Sequence, residues 1–398
     1  MNTIIIPSTR FDTSRVAFLE KVNNAVKEKF GTLDSIHAEY LSKELELIKT
    51  VPDEWLSYLL IASDLLTHMR TKYPFSVAEG RGAMVASFIA YLLNITDIDP
   101  VLYGLSLERF YVGAKTMPIP CVDVDIATKY KQYAVDYLIE TYGKDNVIVP
   151  ITKTNSGRIG VHACAYFITP MPYSEVCDLA KVKTDKHNVV NMDMNELETL
   201  GFIRFNLLSS NIQQQIMDAS TERFNISDVK DFNELFSPKN IEGLSYATLF
   251  DNFKYTVNSF NDVMFVLAAA RNYSLCKDAK KGTLGCNYNE PIIDGILKDT
   301  NGVILYQEQI NDIFSYIFDD DYYQINSIRK DIFKKRSRTI RHAFAKFTQV
   351  LTNKGMNPPQ IIKLWEDLVS ACETSLLKAH LVSVAYNVTE YLFLKENA

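Results

Sequence analysis

The sequence predicts an α+β protein. A mixed α/β centre, about residues 73–208, lies between a helical N-terminal segment, 1–72, and a large helical C-terminal region, 209–398. Three observations carry this reading. Apolar residues recur at helical spacing before residue 72: Leu19, Val22, Val26 and Phe30, then Leu41, Leu45, Ile48 and Val51. Short strand-like runs then follow one another between Cys121 and Leu208. From about 210 helical patterning returns and holds to the end, broken by one stretch rich in Gly and Asn, 281–302.

Taken in order, residues 12–72 read as helices. An extended segment, 74–79, leads into the turn Gly80-Arg81-Gly82. The apolar run 83–95 reads as a helix packed on a sheet. The alternation in Cys121–Ile126 (CVDVDI) marks a strand, and a helix over about 127–142 ends near Gly143. Four further strands are expected in VIVPITKT, VHACAYFITP, VVNMDM and GFIRFNLL.

The composition is globular, 47% hydrophobic and 23% charged over 398 residues, which excludes a disordered or collagen-like chain. The net charge of −6 argues against a uniformly basic nucleic-acid coat and leaves local basic faces open. Six scattered cysteines without a CxxC pair read as reduced thiols, and no His or Cys spacing marks a zinc site. The longest apolar run, 83–95, is shorter than the roughly 20 residues of a membrane span. The expectation is a cytoplasmic protein with no membrane partner, beginning without a signal peptide.

Three features carry chemistry. Asp123 and Asp125 stand at i and i+2 on a strand, so both carboxylates project from one face. Their repulsion is relieved by a divalent cation such as Mg²⁺, which also holds substrate phosphates; a solvated strand edge is the alternative. The turn at Gly80–Gly82 lets backbone approach an anion, with Arg81 able to add a charge-assisted contact; an ordinary strand–helix turn is the alternative. Between Arg329 and Lys354 stand nine basic residues against one acid, Asp331, with Lys330, Lys334, Arg338 and Arg341 at helical spacing. That suits a phosphate or nucleic-acid surface, or a solvated helix face. His162 reads as a packed, hydrogen-bonded histidine.

Together and in order, these segments resemble the C-family replicative DNA polymerases, the bacterial DNA polymerase III α subunits. GRGAMVASFIAYLLNITDIDPVLYGLSLERF is similar to the family's glycine-serine motif and the segment after it. PCVDVDI resembles its catalytic PDxDxDF strand. GVHACAYFI and GFIRFNLLSS resemble two further palm segments, and NDVMFVLAAAR the segment ending in the arginine of ALxRPGP. GVILYQEQI, INSIRKDIFKK and KAHLVSVAYNVTEYLFLK resemble segments of the fingers.

The resemblance implies a polymerase-β-like nucleotidyltransferase palm over 73–208, with a reduced thumb insertion at about 127–160, and helical fingers over 209–398. It implies template-directed DNA polymerisation, with Asp123 and Asp125 holding two Mg²⁺ (or Mn²⁺) ions. Arg81, Gly82 and Ser87 fall at the family's nucleotide-phosphate loop, and Arg204 beside the third catalytic position. Arg271, Tyr306, Glu308, Arg329, Lys330, Lys334 and Lys335 map to a fingers surface facing nucleotide and template. Primer–template DNA, dNTPs and other replisome proteins are the implied partners.

The sequence departs from the family at Asn206, which stands where the third catalytic Asp is expected. An amide oxygen can coordinate a cation but brings no charge. Ala83 replaces the serine of the glycine-serine motif, and Cys121 the first acid of PDxDxDF. Asp193, Glu196 and Glu198 are the acids weighed as compensation for Asn206. No phosphoesterase-like, helix-hairpin-helix, clamp-binding or OB-fold part is read, so no proofreading is expected. So compact a version suggests a phage, acting in the host cytoplasm. The alternative to a working polymerase is a catalytically impaired descendant that binds primer–template DNA or a replisome partner.

Overall fold

The computed structural model describes residues 4–111, 122–153, 158–181, 187–242, 256–270, 288–320 and 322–397. The chain divides into two compact units, with the division after Arg223. No described helix is long and apolar enough to cross a membrane.

The first unit opens with three helices: α1 (Arg15–Phe30), α2 (Ser35–Ile48) and α3 (Asp53–Lys72). Ser14 and Asp34 cap the first two, each accepting from backbone N–H groups one turn on. In α3, Trp55, Leu56, Tyr58, Leu59, Leu60 and Ile61 are buried in succession. A helix apolar on all sides belongs in a core, and α3 forms the centre of this one.

The run 83–95 is not a single helix. It divides into a 3₁₀ turn, Gly82–Ala86, and a short helix α4, Phe88–Leu92. The break lies at Ser87, whose backbone is extended. The buried Glu44 carboxylate of α2 accepts hydrogen bonds from the Ser87 hydroxyl and from the Ile89 N–H, and Ser87 Oγ accepts from the Ala90 N–H. A carboxylate and a serine at one helix N-terminus start a new helix there.

Six strands form one sheet: β1 (Val122–Ala127), β2 (Val147–Lys153), β3 (Ile159–Val161), β4 (Ala165–Ile168), β5 (Asn188–Asp193) and β6 (Ile203–Ser210). Their order is β1-β6-β4-β2-β3, with β5 also paired to β2. The β1–β6 and β2–β5 pairs are parallel and the others antiparallel. The single strand expected in VHACAYFITP is two, interrupted at His162–Cys164. The span 127–160 holds the helix Lys131–Tyr142, which ends at Gly143 with φ 95°, and β2, a full member of the sheet. That helix packs on α3: the Tyr137 ring stacks on His68 at 3.8 Å, and its hydroxyl donates to Asp64 at 2.7 Å.

Among the described residues, the second unit is built from helices joined by loops and holds no β-strand. Its longest elements are the helices Phe260–Ala269, Gln307–Phe318, Tyr322–Phe333, Ser337–Asn353, Pro358–Thr374 and Lys378–Asn397. Phe314, Phe347, Leu351, Leu364 and Leu368 are fully buried among them. The basic run does not lie on one helix. The helix breaks after Phe333, Lys335 takes φ 55°, and a new helix begins at Ser337. Lys330, Lys334, Arg338 and Arg341 are therefore distributed over two helices and the turn between them.

Candidate active site

The site begins with register. Parallel pairing of β1 with β6 sets Asp123 directly opposite Asn206 and Asp125 opposite Leu208. In β1, Val122, Val124 and Ile126 are buried, while Asp123 and Asp125 face the half-exposed side. The pleat thus delivers both carboxylates to one face. Across the strands, Asn206 Nδ2 donates to Asp123 Oδ1 at 2.7 Å. The Asn206 Oδ1 is buried and has no hydrogen-bond partner.

The glycine turn reaches this pair because the chain before it pairs with the free edge of β1. The Ala78 N–H donates to the Asp125 carbonyl at 2.9 Å, and the Ala127 N–H to the Ser76 carbonyl at 2.8 Å. The ITDIDP segment pins the turn from behind, its Thr96 hydroxyl and Asp97 N–H both donating to the Glu79 carbonyl. Gly80 is packed too closely for a side chain: an added Cβ would lie 2.6 Å from Thr96 Oγ1 and 2.7 Å from Val85 Cγ2. Gly82 has φ +70°, a left-handed conformation natural to glycine, with its Cβ position 3.7 Å from Asp123 Oδ2. Arg81, between them, points at the carboxylates. Its Nη1 lies 2.9 and 2.7 Å from the two oxygens of Asp125.

Ser87 does not join this group. It is fully buried, caps α4 and hydrogen-bonds Glu44. Burial pushes the Glu44 carboxyl up to about 7, against the opposing effect of hydrogen bonds from Ser87, Tyr111 and backbone N–H groups. The three acids weighed as replacements for the third aspartate have other partners. Asp193 and Glu196 form a capping box on the helix Met194–Thr199, and Glu198 pairs with Arg204.

Several neighbours escaped the sequence. Tyr58 of α3 is fully buried beneath the strands; its hydroxyl donates to the Arg204 carbonyl at 2.6 Å and accepts from the Val122 N–H at 2.8 Å. It ties the starts of β1 and β6 together. An isolated tyrosine in an apolar helix gives no signal of such a role. His162 accepts backbone N–H bonds from Cys164 and Ala165 through Nδ1, as a packed histidine would. Burial, then Arg204 and Lys131, lower its pKa. Cys164 feels Asp123: burial and Asp123 push its thiol up, while Lys131, Arg204 and Arg81 oppose them.

In the second unit the expected surface residues separate into two groups. Tyr306, Glu308 and Arg329 are turned inward. Tyr306 is buried at the start of the helix Gln307–Phe318. Both Glu308 carboxylate oxygens lie 3.1 Å from the Lys378 N–H, capping the helix Lys378–Asn397. Arg329 is 6% exposed and donates to Asn326 Oδ1. Lys330, Lys334 and Lys335 are exposed, as are Arg336, Arg338 and Arg341. Lys335 pairs with Glu373 at 3.1 Å and Arg336 with Asp331 at 2.7 Å. Arg271 lies outside the described residues, as does Cys121.

Among the described residues no three His, Cys, Asp or Glu side chains gather as a metal-binding group. The donors at β1–β6 are two carboxylates and one partnerless amide oxygen, all oxygen, which is the chemistry of Mg²⁺ or Mn²⁺ rather than of zinc. Such a donor set fits a hard divalent cation, and in this structure Arg81 supplies the positive charge at Asp125.

Comparison with known proteins agrees with the order of these parts. The family described as the bacterial DNA polymerase III alpha NTPase domain matches residues 17–156. That described as the bacterial DNA polymerase III alpha subunit finger domain matches residues 254–355. Curated relatives include the DNA polymerase III subunit alpha of Aquifex aeolicus, 24% identical over 89% of this chain and 40% of that protein. The subunit of Campylobacter jejuni is 23% identical over 99% of this chain and 41% of the relative, and that of Thermotoga maritima 24% over 94% and 47%. The chain thus spans less than half the length of these relatives.

Proposed function

We propose, for a chain that is DNA polymerase III α-like over most of its length, that it adds deoxynucleotides to a primer 3′-hydroxyl under the direction of a template strand. The observation that carries this reading is the convergence of Asp123, Asp125 and Asn206 on one face of paired strands, with a glycine turn bearing Arg81 packed against them.

In the reaction the primer 3′-oxygen attacks the α-phosphorus of a dNTP. A new P–O bond forms, the bond to the β-phosphate breaks, pyrophosphate leaves, and the hydroxyl proton passes to solvent. Asp123, Asp125 and the Asn206 amide oxygen would hold Mg²⁺ or Mn²⁺. When bound, the cations lower the pKa of the primer hydroxyl and offset charge on the triphosphate. The chain's own residues do the positioning. Gly82 takes the left-handed backbone that carries the turn past Asp123, and Arg81 supplies a guanidinium whose geometry suits phosphate. Tyr58 fixes the strand pair on which the oxygens sit. In the second unit, the exposed Lys330, Lys334, Arg338 and Arg341 provide cations for a nucleic-acid backbone.

Primer extension tests this. Purified protein is given a labelled primer–template, Mg²⁺ or Mn²⁺, and each dNTP singly opposite each templating base. The reading expects addition of the complementary nucleotide and its loss in Asp123→Ala and Asp125→Ala. Binding of primer–template without extension, by the wild type and by Asn206→Asp alike, would instead favour a DNA-binding protein without catalysis. Addition independent of the template base would point to terminal transfer.

A further inference from the structure

We propose that Arg81 is an exchangeable counter-cation: it occupies Asp125 while the site is free of triphosphate and leaves for the triphosphate when one binds, so that nucleotide binding opens the cation site. This rests on the nucleotidyl-transfer reading and adds an order of events to it.

The two carboxylates of β1 are both satisfied from within the protein. Arg81 Nη1 contacts both oxygens of Asp125, and the Asn206 amide N–H covers Asp123. One guanidinium and one amide thus do what a divalent cation would otherwise do. Asn206 makes this self-closure effective. A third carboxylate there would have added charge to be offset; the amide instead donates a hydrogen bond and adds no charge. Its other atom, Oδ1, is buried and without a partner, so the closed arrangement leaves one polar group unsatisfied. Rotating the amide, once Arg81 has gone, presents that oxygen to a cation.

The side chains of Arg81 and Asp125 are 31% and 17% exposed, so exchange requires no unfolding. Arg81 lies between two glycines, one of them packed rigidly and the other at the carboxylates. A guanidinium bound to one carboxylate gains charge and donor matching by moving to a triphosphate. Each time it does so, Asp125 is freed. The coupling is reciprocal: a cation at Asp125 favours the Arg81 position that binds phosphate.

Cation binding, measured without catalysis, tests the proposal. Free Mn²⁺ is titrated by its electron paramagnetic resonance signal against wild type, Arg81→Met, Arg81→Lys and Asp123→Asn, with thermal melting to establish that each variant is folded. The titration is repeated with an exchange-inert chromium(III)–dNTP complex, which brings a triphosphate whose own metal does not exchange with added Mn²⁺, and Mn²⁺ taken up by the complex in a protein-free control is subtracted. Arg81→Met is expected to bind Mn²⁺ at least about tenfold more tightly than wild type, within the range usual for coupled sites. Arg81→Lys, a single compact charge, falls between them, and Asp123→Asn weakens binding. The chromium complex brings wild type towards the Arg81→Met affinity and leaves that variant unchanged. Equal affinity in wild type and Arg81→Met, with loss in Asp123→Asn, overturns the exchange while leaving the cation site intact. Absence of Mn²⁺ binding in every protein, Arg81→Met included, overturns both the exchange and the reading beneath it.

Discussion

At Asp123 and Asn206, one strand register brings a carboxylate and an amide together. Alternation in a strand is a local rule, so the spacing of Asp123 and Asp125 already marked a carboxylate pair; the place of Asn206 came from the family resemblance alone. The Arg81–Asp125 pair was not legible, since it depends on residues 76–78 joining the edge of β1. Tyr58 was hidden for a related reason: its hydroxyl works on two backbones brought together only by the sheet. Tyr58→Phe keeps the packed ring but leaves a buried carbonyl and N–H short of a partner. Chemical denaturation of the full chain should show a loss of about 1–3 kcal/mol, and no loss would remove Tyr58 from the site's support. Glu44 makes a prediction about pH. Its pKa is raised in the fold above the 4.5 of a free Glu, to about 7, so the folded state retains the proton better than the unfolded chain. The associated stability is full below about 4.5 and declines as pH rises to about 7. Glu44→Gln should therefore flatten the fall in melting temperature between pH 5 and 8; an unchanged slope would assign that fall to other groups.

At the scale of elements, helix caps explain most departures from the expected pattern. The apolar run 83–95 reads as one helix because hydrophobicity does not record that Glu44, far away in sequence, restarts it at Ser87. The same physics moves Glu308 from an expected binding surface to the N-terminus of the helix Lys378–Asn397. Glu308→Ala should lower the melting temperature of the protein, a change of about 1–2 kcal/mol from the missing carboxylate cap, with KM for dNTP unaltered. A raised KM at unchanged stability would return Glu308 to the nucleotide. The basic run was legible as a concentration of charge, but not its break after Phe333, where Lys335 adopts a left-handed backbone. Replacing Lys334, Arg338 and Arg341 together by Gln should weaken duplex binding at low salt. The slope of log affinity against log salt should fall by about 0.9 for each phosphate no longer neutralised. An unchanged slope would mean that these cations meet only solvent.

For the whole molecule, the α+β class, the helical character of residues 12–72 and the strand-rich stretch from 122 to 210 followed from periodicity, while the number of opening helices and the division of VHACAYFITP into two strands did not. The order of the motifs pointed to the family that the comparisons also match. The division of the chain after Arg223 was less accessible, because the helix Asn211–Ala219 continues directly from β6 and packs against β1 within the first unit. In the proposed reaction, oxygens at β1 and β6 control a cation-dependent transfer. The most direct test is the Mg²⁺ dependence of single-nucleotide addition by wild type, Asn206→Asp and Asp123→Ala. Restoring a charged ligand at position 206 should lower the Mg²⁺ needed for half-maximal addition by about tenfold or more, while Asp123→Ala should lose at least about 10²–10³ in rate. Addition that survives in Asp123→Ala with an unchanged Mg²⁺ requirement would contradict control by these oxygens.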